Sequence, residues 1–146
     1  MLIKLLATQI PDFWEVIKYG VLRADNIPVE TSEVYLNDMF LSLLNDKRIC
    51  YVSLDDEHQV TALLILQIKI DNITNDKYLY MQCLYSFKPT PLEAWQKYFK
   101  FVKDFAEMEK CNYLRFESNN DRLIKMAKSV GFKHNFITMS LNLGGA

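Results

Sequence analysis

The chain has 146 residues, half of them hydrophobic, with 17 lysines and arginines against 18 aspartates and glutamates. That length suits one domain with a substantial core and leaves little room for two. The near-neutral balance removes any bulk electrostatic reason to expect nucleic acid or an anionic membrane, and the longest apolar runs fall well short of the roughly 18 residues of a membrane span.

Leu2 to Ala7 reads as a short strand with no secretion signal, so the expected location is cytoplasmic. Pro11 and Asp12 mark a helix start, and Ile10, Phe13, Trp14, Ile17 and Val21 recur at helical spacing to about Ala24. A second helix, with Thr31 or Ser32 as cap, carries Leu36, Met39, Phe40, Leu43 and Leu44 on one stripe and ends at Asn45-Asp46. Ile49 to Leu54, Val60 to Ile70 and Tyr78 to Phe87 are β-rich runs separated by polar turns, which predicts an antiparallel meander. The longest helix runs from Pro91 to about Lys110, Tyr113 to Glu117 is a strand, Asn120 to Val130 a helix stopped by Gly131, and Asn135 to Leu143 a final strand.

The junction Lys88-Pro89-Thr90-Pro91-Leu92-Glu93 joins strand to helix without a glycine. Thr90 and Glu93 have the spacing of a capping box, and Pro91 suits a first helical turn. A phosphate cradled there needs free N–H groups, so this reading expects an anion site to be closed. The three cysteines, Cys50, Cys83 and Cys111, are widely spaced in or beside apolar segments, as reduced core thiols are.

The order β, α, α, β, β, β, α, β, α, β resembles the GNAT N-acetyltransferase superfamily. The opening Ile3 to Asp12, with Ala7-Thr8, is similar to that family's usual start, and Asn120 through Gly131-Phe132 is similar to its later motif. The resemblance implies a single α+β domain over residues 1–143 with a short tail at 144–146. It implies a mixed, mostly antiparallel sheet of about six strands flanked by four helices. Three departures stand out. The family's loop of the form Arg/Gln-x-x-Gly-x-Gly/Ala, which holds the coenzyme A pyrophosphate, is replaced by Lys88 to Leu92. The tyrosine that protonates the leaving thiolate is replaced by Ala127, and Tyr78 to Phe87 contains no carboxylate to act as base.

From these departures the sequence is read as a catalytically degenerate member similar to the small GNAT-like proteins of tailed bacteriophages. Such a protein would act in virion structure or assembly, in the virion or the host cytoplasm, with no catalytic residue, no cofactor and no metal. Its partner would be another protein or a second copy of itself, met through Trp95, Tyr98, Phe101 and Phe105 on the long helix. The alternative is a working N-acetyltransferase with an atypical acetyl-CoA site built from Leu84, Tyr85, Phe87, Lys88 and Asn120. Asn120 is equally a helix cap. His58 and His134 lack metal-ligand companions, Asp55-Asp56-Glu57 reads as a solvated turn, and Cys83 as an inert buried thiol.

Overall fold

In a computed structural model, which describes residues 2–118, 120–135 and 137–144, a five-stranded sheet runs in the order β1-β2-β3-β4-β5. The strands are β1 (Leu2–Lys4), β2 (Ile49–Leu54), β3 (Val60–Ile70), β4 (Lys77–Ser86) and β5 (Tyr113–Arg115), and all neighbours are antiparallel except β4 and β5. Helices α1 (Ile10–Ala24) and α2 (Glu33–Leu44) cover one face, and α3 (Leu92–Met108) and α4 (Asp121–Ser129) the other. The domain is therefore the single α+β sandwich that the element order implies. Among the described residues no helix is long and apolar enough to cross a membrane.

Each face buries its own core. Ile17, Val21, Met39 and Leu43 pack on Cys50, Val52, Leu63 and Ile65, while Phe99, Val102 and Ala106 pack on Leu64, Leu66, Leu79 and Met81. The near-continuous apolar run of β3 is what a central strand buried on both faces requires. Gly20 brings α1 close to the sheet, because a Cβ there would lie 2.7 Å from Leu63 Cδ2.

The two hairpins and the turn from α2 into β2 do without glycine. His58, Asn75 and Asp46 in these turns adopt left-handed backbone at φ 61°, 62° and 57°, a conformation that Asn, Asp and His tolerate better than most side chains. Asn120 caps α4, its Oδ1 accepting from the N–H groups of Arg122 at 3.0 Å and Leu123 at 3.2 Å, and Gly131 ends the helix at φ 105°. Asn120→Ala is expected to lower stability by about 0.5–2 kcal/mol, read as a fall in the urea midpoint with an unchanged slope.

Two expectations fail. The final strand expected over Asn135 to Leu143 is not found among the described residues, and Phe136 lies outside them. So do Met1, Asn119, Gly145 and Ala146, leaving only Gly144 of the expected tail. The cap predicted for α2 is also absent, since Ser32 Oγ donates to the Val29 carbonyl at 2.8 Å and caps nothing.

Candidate functional site

The site begins where β4 and β5 part. Only three residue pairs join them: Tyr78 with Tyr113, Leu79 with Leu114, and Tyr80 with Arg115. The joined end is clasped. Tyr78 and Tyr113 stack with centroids 5.2 Å apart, the Arg115 guanidinium lies 4.6 and 5.0 Å from the two ring centres, and Asp71 sits 3.6 Å from Arg115. Backbone N–H donors from Thr74 and Ile73 keep the Asp71 carboxyl below its ordinary pKa, so it stays anionic beside the cation. Past Tyr80, β4 runs on to Ser86 with β3 as its only ladder partner among the described residues. A wedge opens between the two strands.

Antiparallel pairing decides which β4 groups face this wedge. Phe87 N–H donates to the Thr61 carbonyl at 2.9 Å, and Tyr85 and Cys83 follow at the same parity in register with β3. Their backbone groups are thus spent on β3, while those of Leu84 and Ser86 point toward the side β5 has vacated. Of the backbone positions named for an atypical acyl-CoA site, Leu84 lies on the vacated edge, and Tyr85 and Phe87 face β3. The Tyr85 and Phe87 side chains pack with Tyr19 under α1.

Gln82 is an extra residue in β4, lying between the pairs Ile65 with Cys83 and Leu66 with Met81. The bulge turns its side chain into a polar chain of contacts. Arg48 Nε donates to Gln82 Oε1 at 2.7 Å, Gln82 Nε2 donates to Tyr35 Oη at 3.1 Å, and Tyr35 Oη donates to Asp25 Oδ2. Arg48 is held in turn by Asp38 Oδ2 at 3.0 Å and Ser42 Oγ at 2.7 Å.

Loss of hydration raises the Asp25 carboxyl above its ordinary pKa. The Tyr35 hydrogen bond opposes this, and the negative charge of Glu117, just beyond β5, adds to it. Asp25 keeps solvent access, so its hydration is stripped in part only. Burial also raises the half-buried Tyr80 phenol, helped by the charges of Glu117 and Asp25. Asp25, at the end of α1, therefore feels the charge of Glu117, two residues beyond β5. A carboxyl perturbed in this way favours a functional site. Sequence reading missed the pair because the two lie far apart in the chain. The one available signal was Gln82, a lone amide in the apolar run Leu79 to Leu84.

The strand-to-helix junction departs from expectation. Pro91, not Thr90, holds the cap position of α3, and no side chain accepts from the first turn. Thr90 Oγ1 donates to the Lys88 carbonyl at 3.0 Å and contacts Ser86 Oγ, so the expected capping box does not exist. Ala94 and Trp95 N–H groups reach back to the Pro91 carbonyl at 3.0 and 3.3 Å. The N–H groups of Leu92 and Glu93 have no protein acceptor among the described residues, so the helix start keeps donors for an anion. Lys88 is engaged with Asp55 at 2.7 Å, which raises the Lys88 pKa and lowers that of Asp55.

The remaining sequence candidates divide cleanly. Phe101 and Phe105 pack edge-on to Tyr51 at 4.8 and 6.3 Å, and Trp95 and Tyr98 meet each other at 6.0 Å, all four half-buried. Ala127 is buried in the α3/α4 core and carries no proton to donate. Cys50, Cys83 and Cys111 are free thiols, and burial pushes Cys50 up to about 12 and Cys83 well above its ordinary value, so neither of these two is a nucleophile at neutral pH. His58 and His134 are exposed, and among the described residues no group of three metal-ligating side chains exists.

A sandwich whose parallel β4 and β5 splay apart beside an uncapped helix start is the GNAT acetyltransferase fold, and the solved structures agree. A protein of Pyrococcus furiosus provisionally described as an acetyl transferase superposes at a TM-score of 0.77, with 14% identity over 98% of this chain and 99% of that one. A predicted acetyltransferase of Clostridium acetobutylicum, solved with acetyl-CoA, superposes at 0.76 with 15% identity over 98% and 96%. An aminoglycoside 6'-N-acetyltransferase of Acinetobacter haemolyticus superposes at 0.68 with 15% identity over 97% of each chain. No family model and no curated protein matches the sequence.

These neighbours overturn the reading of the chain as a non-catalytic component of virion structure or assembly. Three proteins that share its fold over almost their full lengths are named for acetyl transfer, and one of them was solved with acetyl-CoA. The self-capped helix start on which that reading rested is also absent.

Proposed function

We propose that the chain is an acetyl-CoA-dependent N-acetyltransferase acting on a cationic amine. One observation carries the reading. The wedge between β4 and β5 brings an open strand edge, a helix start with free donors, and the Asp25 carboxyl raised in pKa beside the charge of Glu117 to one end of the sheet.

The residues present fit acetyl-CoA. Leu84 and Ser86 offer backbone groups on the vacated edge of β4, and Leu92 and Glu93 N–H groups offer donors to phosphate at the positive end of a 17-residue helix. Lys88 contributes a cation once it leaves Asp55. Glu93 in the first turn opposes an anion, which points to weaker phosphate binding than a glycine loop provides.

When bound, acetyl-CoA supplies an acyl group activated as a thioester. The chain supplies the rest. Glu117 and Asp25 attract an ammonium group, and Asp25 accepts its proton so that the neutral amine can attack. Tyr35, fixed by Gln82, orients the Asp25 carboxylate. Tyr80, whose phenol burial keeps protonated, stands on the same strand as the proton donor that Ala127 cannot be.

The test is thermal unfolding with acetyl-CoA, coupled to thiol release with a panel of polyamines, aminoglycosides and lysine-bearing peptides. A ligand at about 100 times its Kd stabilises by about 2.7 kcal/mol. That corresponds to a rise in Tm of roughly 5–10 °C for a domain of this size. A flat Tm together with no thiol release from any amine refutes the proposal.

A further inference from the structure

The turn from α2 into β2 carries a cation that the chemistry of the wedge leaves unused. Arg48 is half-buried, and three side chains take its hydrogens: Gln82 Oε1 accepts from Nε at 2.7 Å, and Ser42 Oγ and Asp38 Oδ2 accept from one terminal nitrogen at 2.7 and 3.0 Å. Tyr35, Asp38 and Ser42 stand at i, i+3 and i+7 of α2, so one stripe of that helix holds both Arg48 and the far end of the relay. Arginine donates and never accepts. The Gln82 atom facing Arg48 must therefore be its oxygen, which turns the amide nitrogen toward Tyr35 Oη at 3.1 Å. With its oxygen accepting from Gln82, the Tyr35 hydroxyl spends its one hydrogen on Asp25 Oδ2. Burial, and then the Asp25 carboxylate, hold the Tyr35 phenol above its ordinary pKa, so that hydrogen stays on the phenol oxygen. Asp25 Oδ1 has no protein partner among the described residues and is left to take a proton.

We propose that Arg48 is a positioning residue for the reaction: without touching Asp25, it sets the direction of a hydrogen-bond relay through Gln82 and so keeps Tyr35 a donor to Asp25. This rests on the proposed transfer to an amine, in which Asp25 takes the proton. Without Arg48 the Gln82 amide is free to turn over and present its oxygen to Tyr35. The hydroxyl then has two acceptors to choose between, and Asp25 loses its partner for part of the time. The relay also explains why a glutamine serves at the bulge, since the link needs an acceptor on one side and a donor on the other. Glu117 beyond β5 and Tyr80 and Cys83 on β4 act on Asp25 as well, and Arg48 carries a charge of its own. The relay must therefore be separated from through-space electrostatics.

A double-variant cycle on the full chain makes that separation. It is read by the acid limb of kcat/KM and, with no substrate present, by carbon-13 NMR titration of the Asp25 carboxyl, assigned with Asp25→Asn. Tyr35→Phe is expected to raise both by roughly one pH unit, the scale of one hydrogen bond to a carboxylate. Arg48→Met is expected to raise both in the wild type and to add nothing in the Tyr35→Phe background. Arg48→Lys keeps the charge and the donor-only chemistry and is expected to titrate near the wild type. Equal shifts in the two backgrounds overturn the proposal, because the lost charge then acts directly on Asp25. An unmoved titration in Arg48→Met overturns it equally. If Arg48→Met does not fold, Gln82→Glu poses the same question with Arg48 in place, because it sets an acceptor against Tyr35. It is expected to raise the Asp25 titration more when Tyr35 is present than in the Tyr35→Phe background, and equal rises there overturn the proposal. No thiol release from the wild type refutes the transferase reading, and the substrate-free titration still decides the relay.

Discussion

Asp25→Asn is expected to lower kcat/KM by roughly 10²–10⁴ while leaving the fold intact, the range lost when a positioned general base is removed. The amide keeps an oxygen that accepts from Tyr35, so the contact running back to Gln82 and Arg48 persists. The pH dependence separates chemistry from structure. The Asp25 pKa is raised above 3.8, chiefly by lost hydration, so the wild-type rate falls as pH drops through that raised value and the acid limb disappears in the amide variant.

Stability runs the other way. A carboxyl whose folded pKa is raised favours folding below its unfolded pKa, and that contribution is lost as pH rises through the folded value. At neutral pH the ionised Asp25 is therefore a cost, and the neutral amide should melt no lower than wild type. An unchanged rate, or a rate loss matched by a collapse in Tm, removes Asp25 from the proposed role.

Leu63→Ala is expected to destabilise by about 2–5 kcal/mol, the usual range for truncating a fully buried leucine. That corresponds to a Tm lower by roughly 5–20 °C. Leu63 is wholly buried on β3, beneath α1, and Gly20 approaches its Cδ2. The close approach makes a sharper test. In the wild type, Gly20→Ala places a Cβ 2.7 Å from Leu63 Cδ2, so the gain in helix propensity is offset by crowding. Once Leu63 is alanine, that Cβ enters the vacated space and the propensity gain of about 1 kcal/mol for Gly→Ala is realised. The double variant should therefore be more stable than Leu63→Ala alone, and the two changes should be non-additive. Additivity, measured by urea unfolding of the four proteins, would show that α1 does not rest on Leu63 as described.

The strands and helices were legible where burial dictates pattern. The runs Ile49 to Leu54 and Val60 to Ile70 match β2 and β3 residue for residue, because a central strand buried on both faces has nowhere to place polar side chains. The Asn120 cap and the Gly131 stop were also visible, being local chemistry within a few residues. The capping box at Thr90 was local too and still failed, because the Thr90 hydroxyl has a competing acceptor in the Lys88 carbonyl two residues back.

The terminal strand expected over Asn135 to Leu143 is not found among the described residues: its alternation reports a preference for extended backbone, and pairing is a separate matter that alternation does not encode. The polar cluster was the least legible. Asp25, Tyr35, Arg48, Gln82 and Glu117 come from five separate segments, and only the fold makes them neighbours.

The extra residue at Gln82 divides β4 into two halves of opposite parity. Before it, Leu79 and Met81 face the α3/α4 layer; after it, Cys83 and Tyr85 face the α1/α2 layer. Because Leu66 already faces Met81 and Ile65 already faces Cys83, removing Gln82 would close the ladder into plain alternation and leave Cys83 and Tyr85 on the layer they occupy now. What would vanish is the amide joining Arg48 to Tyr35, so the support behind Asp25 hangs on a single supernumerary residue that the sheet itself could do without.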